Sequence, residues 1–190
     1  PAWRDQVFFR PGWGTDLCFF LGHYLIWISI VLDVIYDLTP WLHGLVPREL
    51  RRTVAEQPFW VQFVGIVALG DLCIYWAHRL QHRFDFLWRF HSVHHSSEHL
   101  DWLAAHREHP LDTIYSATIM NLPAYMLGFS GQALVSFITF RGLMSILIHS
   151  NVRVNLGWFG YLFGSPAFHH WHHARDRASC NFGNVSPLMD

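Results

Sequence analysis

Four long apolar stretches place the strongest constraint on what this chain can fold into. They are residues 17–36, 59–77, 111–129 and 133–148, and each contains few charged side chains. At a rise of about 1.5 Å per residue, a helix of about 19 residues covers about 28 Å, close to the hydrocarbon thickness of a bilayer. Charged residues make up only 14% of the 190 residues, too few to cover four such helices in a soluble domain. We therefore expect an all-α integral membrane bundle of about four spans, forming one domain over residues 1–190.

The remaining composition excludes several classes of protein. The formal net charge is -1, so the chain has no basic field that would hold nucleic acid. Its three cysteines are odd in number and widely spaced, which argues against a disulfide framework. The first apolar stretch lacks the basic start and the cleavage site of a signal peptide. Because the chain opens without Met and stops within a motif, we expect it to be a fragment of a longer protein.

The order of the stretches predicts the topology. The third and fourth form a hairpin through residues 128–132, so the segments 78–110 and 149–183 lie on the same side of the membrane. Residues 1–16, 78–110 and 150–190, which share that side, contain nine arginines, whereas the opposite loop 39–58 contains three. Arginine is enriched on the cytoplasmic side of membranes. The histidine-rich side is therefore predicted to face the cytoplasm.

Histidine is the residue that carries the functional signal, with fifteen copies in the chain. Eight of them form three clusters at helical spacing: His78 and His82; His91, His94 and His95; His169, His172 and His173. Positions i, i+3 and i+4 share a helix face, so each cluster directs its imidazoles one way. A zinc site uses three or four ligands, so eight imidazoles suit two metal ions better than one. A pH-sensing cluster is the alternative, although it gives no reason for the repeated spacing.

The chemistry of the clusters leaves the metal open. Imidazole suits zinc, copper, iron and nickel alike, and the clusters contain neither Cys nor Glu at ligand spacing. Asp71 lies seven residues before His78, on the same helical stripe, where a carboxylate can orient a ligand imidazole from the second coordination layer.

The motifs themselves resemble those of a known family. They read His78-Arg-Leu-Gln-His82, His91-Ser-Val-His-His95 and His169-His-Trp-His-His173, followed by Asn181-Phe-Gly183. Together with Arg107-Glu-His-Pro110 and His149-Ser-Asn151, they make residues 71–183 similar to the fatty acid hydroxylase/sterol desaturase superfamily.

This resemblance implies a membrane di-iron oxidase that uses O2 to hydroxylate or desaturate a C–H bond of a lipid. It adds His149 as a ninth ligand and Asn181 as a hydrogen-bond partner of a ligand imidazole, with no catalytic side chain beyond the ligands. The implied cofactors are two iron ions, with zinc as a substitute in purified protein. A separate electron donor, of the ferredoxin/reductase or cytochrome b5-like kind, is also implied, because the chain shows no dinucleotide-binding glycine motif. His109 and His170 remain open as further ligands.

Two other functions compete with this interpretation. A bis-His haem protein would carry electrons across the membrane, but it needs two histidines on facing spans near the bilayer interior. A metal transporter would distribute His, Asp or Glu along several spans, where only Asp33, Asp71 and His23 qualify. The substrate, and the choice between hydroxylation and desaturation, are open at this point.

Overall fold

The computed structural model describes residues 8–174 and 180–190. Within these ranges the chain forms helices and no strand. The α-helices are α1 Trp13–Gly22, α2 Ile28–Gly44, α3 Arg48–Ala55, α4 Phe59–Arg83, α5 Asp85–His94, α6 Pro110–Leu127, α7 Gly131–His149 and α8 Pro166–His172. A π-helical turn, His23–Trp27, joins α1 to α2, and short 3-10 turns occupy Ala104–His106, Gly157–Tyr161 and Pro187–Met189.

The predicted all-α membrane bundle is confirmed. Among the described residues, three helices are long and apolar enough to cross a bilayer: the continuous Trp13–Gly44, Phe59–Arg83 and Gly131–His149. The 18-residue α6 corresponds to the remaining predicted span, so about four crossings agree with the structure. Apart from α6, the helices extend beyond the apolar stretches, and α4 continues to Arg83, which places His78 and His82 on its last turns.

The α6–α7 hairpin forms where the sequence predicts it. His109 caps α6 and Pro110 occupies the first helical position, where a missing N–H costs nothing. The helix ends at Gly128, whose φ of 72° is a left-handed conformation that favours glycine. Ser130 then caps α7, its hydroxyl accepting the Ala133 N–H at 3.3 Å.

Contacts at the two ends of the bundle show how the chain runs. At one end, Asp16 near the start of α1 pairs with Arg107, which lies between the second histidine cluster and α6. At the other end, the Gly128 turn lies against Arg51 of α3. The chain therefore passes along the bundle four times, and both histidine-rich segments lie at the same end, as predicted.

The core lies where α4, α6 and α7 meet. Ile66, Ala124 and Phe137 are buried there, and Phe137 packs directly over Gly70. Many apolar side chains instead point outward, among them Val64 and Val135, which are about two-thirds exposed at 64% and 65%. Apolar side chains on the outer surface are expected where a bundle meets lipid.

Candidate metal centre

Nine histidines converge into two groups at one end of the bundle. In each group the ring nitrogens that could bind a metal lie within 4.8 Å of one another. The five-histidine group contains His78, His82, His91, His95 and His172. The four-histidine group contains His94, His149, His169 and His173. These are the nine residues that the sequence singled out as candidate ligands.

Each His-x-x-His-His cluster contributes to both groups. On α5, His91 and the adjoining His95 turn to the five-histidine group, while His94 turns to the four-histidine group. On α8 the division is reversed, because His169 and the adjoining His173 join the four-histidine group and His172 the other. Residues i and i+4 differ by about 40° around a helix, whereas i+3 and i+4 differ by about 100°. A single helix can therefore line two adjacent sites.

The two groups share a wall. The ring of His95, from the five-histidine group, stacks on that of His173, from the four-histidine group, with centroids 4.3 Å apart and planes 20° apart. Both groups are almost closed to solvent, since His94, His149, His169 and His172 are at most 6% exposed. The two groups are therefore adjacent sites in direct contact, not sites in separate parts of the fold.

In the five-histidine group, hydrogen bonds fix which nitrogen faces the centre. Nδ1 of His78 lies 3.1 Å from the Phe182 carbonyl oxygen, and Nδ1 of His172 lies 3.0 Å from the Cys180 carbonyl oxygen. Nδ1 of His91 lies 3.0 Å from Oδ2 of Asp112. Because a carbonyl oxygen only accepts, Nδ1 carries the hydrogen in His78 and His172 and Nε2 keeps its lone pair. The Nε2 atoms of His78, His91 and His172 are buried without a hydrogen-bond partner.

The four-histidine group shows the same pattern. Nδ1 of His149 lies 2.7 Å from the Ser145 carbonyl oxygen, and Nδ1 of His94 lies 3.3 Å from that of Arg107. The Nε2 atoms of these two rings are 3.0 Å apart, so two lone pairs face each other. His169 Nε2 also lies 3.0 Å from that of His149. Two nitrogens about 2.1 Å from one ion and about 90° apart are about 3 Å from each other.

Burial keeps these imidazoles neutral. Loss of water, followed by the neighbouring histidines, holds the pKa of His91 and that of His169 well below their usual range. Burial also lowers the pKa of His172 to about 4. Neutral imidazole is the form that binds metal. The rings are therefore in the protonation state that ligands need at neutral pH.

The donor set fits two first-row transition-metal ions. Buried, unpartnered nitrogens are costly, and a cation between them satisfies them all at once. All nine donors are imidazoles, and neither group includes a cysteine or carboxylate ligand among the described residues. Such a set suits iron, zinc, copper or nickel. It differs from the carboxylate-rich di-iron sites of helical bundles.

The two residues expected to orient ligand imidazoles, Asp71 and Asn181, bond backbone groups instead. The carboxylate of Asp71 accepts the backbone N–H groups of Val185 at 2.8 Å and Ser186 at 3.0 Å, rather than an imidazole. The side chain of Asn181, expected to bond a ligand imidazole, instead donates to the Phe168 carbonyl at 3.0 Å. Asn181 has a φ of 60°, a left-handed conformation that directs its side chain towards α8. The orienting acceptors are backbone carbonyls and Asp112, which the sequence analysis did not single out.

Four further histidines have other contacts. His109 accepts the Leu111 N–H at 3.2 Å as the cap of α6, and His170 lies with Nε2 3.3 Å from the His149 carbonyl oxygen. His23 packs against His106, with ring centroids 5.6 Å apart, so the first helix reaches the histidine-rich segment. The position of His23 within the apolar stretch 17–36 was the sequence feature that could have indicated this contact. Burial lowers the pKa of His106 to about 4.

The profile of the fatty acid hydroxylase family matches residues 63–190. The chain belongs to this family.

Individual relatives are identical to the chain at about three in ten of the aligned residues. The ornithine lipid hydroxylase OlsE of Rhizobium tropici is 32% identical over 137 residues, which cover 71% of this chain and 41% of that protein. The alkylglycerol monooxygenase of Homo sapiens is 31% identical over 67% of this chain and 28% of its own length. The Delta(7)-sterol 5(6)-desaturase ERG3A of Gibberella zeae is 31% identical over 68% of this chain and 36% of its own length.

The chain thus spans less than half the length of these relatives. No solved structure matches it at a significant level.

Proposed function

We propose that this chain is the metal-binding part of a membrane enzyme that uses O2 to hydroxylate or desaturate a C–H bond of a lipid, with two iron ions held by the nine histidines. The observation that carries the proposal is the double histidine group at the end of a membrane bundle. Family membership supports the lipid substrate, since the matched relatives are named as an ornithine lipid hydroxylase, an alkylglycerol monooxygenase and a sterol desaturase.

Bound iron would supply the reduction of O2 and the removal of hydrogen from an unactivated C–H bond. The protein's own part is to hold the ligands and to exclude water. Backbone carbonyls and Asp112 fix the ring orientations of His78, His91 and His172. No other side chain is required as an acid or base.

Phe182 forms an apolar wall of the five-histidine group. Its side chain is buried, and its ring centroid lies 5.2 Å from that of His82 and 5.5 Å from that of His172. A benzyl group there keeps bulk water away from the ligand nitrogens. Exclusion of water protects a reactive site from side reactions.

The proposed substrate reaches the site from the bilayer. Both groups lie at the ends of α4 and α7, two helices that are apolar enough to span a membrane. A sterol, an acyl chain or an ether lipid would fit such an entrance, and the relatives include both hydroxylating and desaturating enzymes. Hydroxylation and desaturation begin with the same hydrogen removal, so one site serves either.

We also propose a cytoplasmic site and a separate electron donor. The excess of arginine on the histidine side supports that orientation, although Arg4, Arg175 and Arg177 of that count lie outside the described residues. Reduction of O2 needs electrons, which a ferredoxin/reductase pair or a cytochrome b5-like protein would deliver.

The two competing functions receive less support. Haem ligation by facing spans requires histidines near the bilayer interior, whereas these nine lie together at one end. A transport path requires ligands along the spans. In the described residues, Asp33 is exposed on the outside of α2 and Asp71 is occupied by two backbone N–H groups.

Metal analysis with iron Mössbauer spectroscopy on the full-length protein tests the proposal. We expect two coupled non-haem irons per chain, and their loss in a His94→Ala, His172→Ala double variant. The matched control is His43→Ala, since His43 lines a cavity of about 610 Å³ at the opposite end and is outside both groups. A single haem iron, or protein without bound metal, would contradict the proposal, and two zinc ions would support the architecture alone.

A further inference from the structure

The segment 180–190 holds two ligands of the five-histidine group. The Cys180 carbonyl oxygen lies 3.0 Å from Nδ1 of His172, and the Phe182 carbonyl oxygen lies 3.1 Å from Nδ1 of His78. These ligands come from α8 and α4, which are far apart in the chain. The position of this one segment therefore sets the orientation of two rings that must meet at one ion.

One carboxylate attaches the segment to α4, and a second, within the segment, closes it on itself. Asp71, buried within α4, accepts the N–H groups of Val185 and Ser186 at 2.8 and 3.0 Å. Asp190 accepts those of Phe182 and Gly183 at 2.8 and 2.7 Å. The Phe182 peptide unit thus lies between a carboxylate on its N–H side and a ligand imidazole on its carbonyl side.

The fold leaves the segment little freedom elsewhere. The Gly164 N–H donates to the Val185 carbonyl at 2.8 Å. A Cβ at Gly164 would lie against the Asn184 carbonyl, and a Cβ at Gly183 against that of Ser186, so the backbone is closely packed on both sides. The segment is therefore closely fixed, attached to α4 through Asp71 and closed on itself by Asp190.

We infer that Asp71 and Asp190 are positioning residues for the five-histidine group, acting through the segment 180–190. Asp71 lies seven residues before His78, about 10.5 Å along the helix axis, and bonds no imidazole. Its effect reaches the ligands through Val185 and the Phe182 carbonyl. The inference rests on the proposed metal binding, because it concerns the geometry of those ligands.

The chemistry explains why a carboxylate is needed. Each carboxylate receives two N–H groups, one on each of its oxygens. An asparagine offers one oxygen and one NH2 group, so one backbone N–H would face a donor. A buried Asp in a spanning helix is itself costly, and here the two N–H bonds and the nearby Arg141 offset part of that cost.

The test compares Asp71→Asn and Asp190→Asn with Asp33→Asn in the full-length protein. Asp33→Asn makes the same change at an exposed position of α2. The probe is Co²⁺ alone, with affinity measured by chelator competition and geometry by the visible d–d spectrum. His172→Ala and His149→Ala identify which spectral component belongs to which group.

We expect both Asp variants to weaken Co²⁺ binding about 10- to 100-fold at the site that His172→Ala removes, with an altered spectrum there. The site that His149→Ala removes should keep its affinity. If Asp71→Asn does not fold, Asp190→Asn decides, because Asp190 is exposed. Unchanged binding in the variants would overturn the inference, whereas a wild-type protein without Co²⁺ binding would overturn the proposed function instead.

Discussion

Oδ2 of Asp112, in the first turn of α6, lies 3.0 Å from Nδ1 of His91 on α5. The other oxygen of the same carboxylate accepts the side-chain amide of Gln81 on α4. One buried carboxylate therefore connects three helices at the edge of the five-histidine group and directs Nε2 of His91 towards its centre.

Replacing Asp112 by Asn should weaken metal binding. In either orientation the new amide presents its NH2 group to a donor, His91 or Gln81, so His91 loses its fixed orientation. Loss of such an orienting partner costs about 10- to 100-fold in affinity. Co²⁺ titration with a competing chelator measures this, with Asp37→Asn, exposed on α2, as the control. Equal affinities in the two variants would show that Asp112 does not orient His91.

Neighbouring histidines on α5 should affect different ions. His91 and His94 are both buried, at 5% and 6% exposure, and belong to different groups. We expect His91→Ala and His94→Ala each to retain about one metal per chain, with different remaining Mössbauer or Co²⁺ spectra. His43→Ala should retain both ions. Identical spectra for the two variants would mean that the groups act as one site.

The ion pairs that attach α1 to the histidine-rich segment should contribute strongly to stability. Asp16, with a side chain 0% exposed, pairs with Arg10 at 2.6 Å and with Arg107. Arg10 also pairs with Asp101 at 2.6 Å. Asp16→Asn leaves Arg107 without a carboxylate partner and Arg10 with Asp101 alone, and we expect a loss of about 3–5 kcal/mol in the free energy of unfolding.

Thermal unfolding in detergent measures this loss. The matched control is Glu56→Gln, which breaks the exposed pair of Arg52 and Glu56, with side chains 78% and 59% exposed. Exposed pairs contribute about 0–1 kcal/mol, so this control should unfold near the wild-type temperature. An Asp16 variant as stable as the control would show that the buried network does not hold α1.

Close packing at Gly70 should tolerate no added methyl group. A Cβ there would lie 2.9 Å from Cε2 of the fully buried Phe137 and 3.3 Å from the Met120 carbonyl oxygen. We expect Gly70→Ala to lower the free energy of unfolding by about 1–3 kcal/mol through overpacking.

Gly142→Ala is the control for this packing effect, because nothing lies within 4 Å of a Cβ at Gly142. Alanine has the higher helix propensity, so this variant should gain up to about 1 kcal/mol. Opposite shifts in the unfolding temperature of the two variants are expected. A stabilised Gly70→Ala would mean that α4, α6 and α7 separate easily at this point.

Much of the fold could be predicted because membrane helices follow local rules. Length and hydropathy indicate the spans, and Gly128 and Ser130 mark the hairpin between α6 and α7. Hydropathy did not predict that α4 continues to Arg83, because polar residues at the end of a span look like a loop. The backbone nevertheless keeps its helical hydrogen bonds there. The first helix was predicted over residues 17–36, but its extension to Trp13 and to Gly44 was not.

The sequence by itself determined which histidines come together, because the helical period puts i, i+3 and i+4 on one face and the hairpin returns His149 to the same end. Only the tertiary structure decided that the nine divide into five and four, since that depends on how α5 and α8 rotate against α4 and α7. The tertiary structure also decided that the side chains of Asp71 and Asn181 form hydrogen bonds with backbone groups rather than with imidazoles. Every residue carries the same carbonyl, so no sequence pattern marks which ones, here Phe182, Cys180 and Arg107, will accept a ligand's hydrogen.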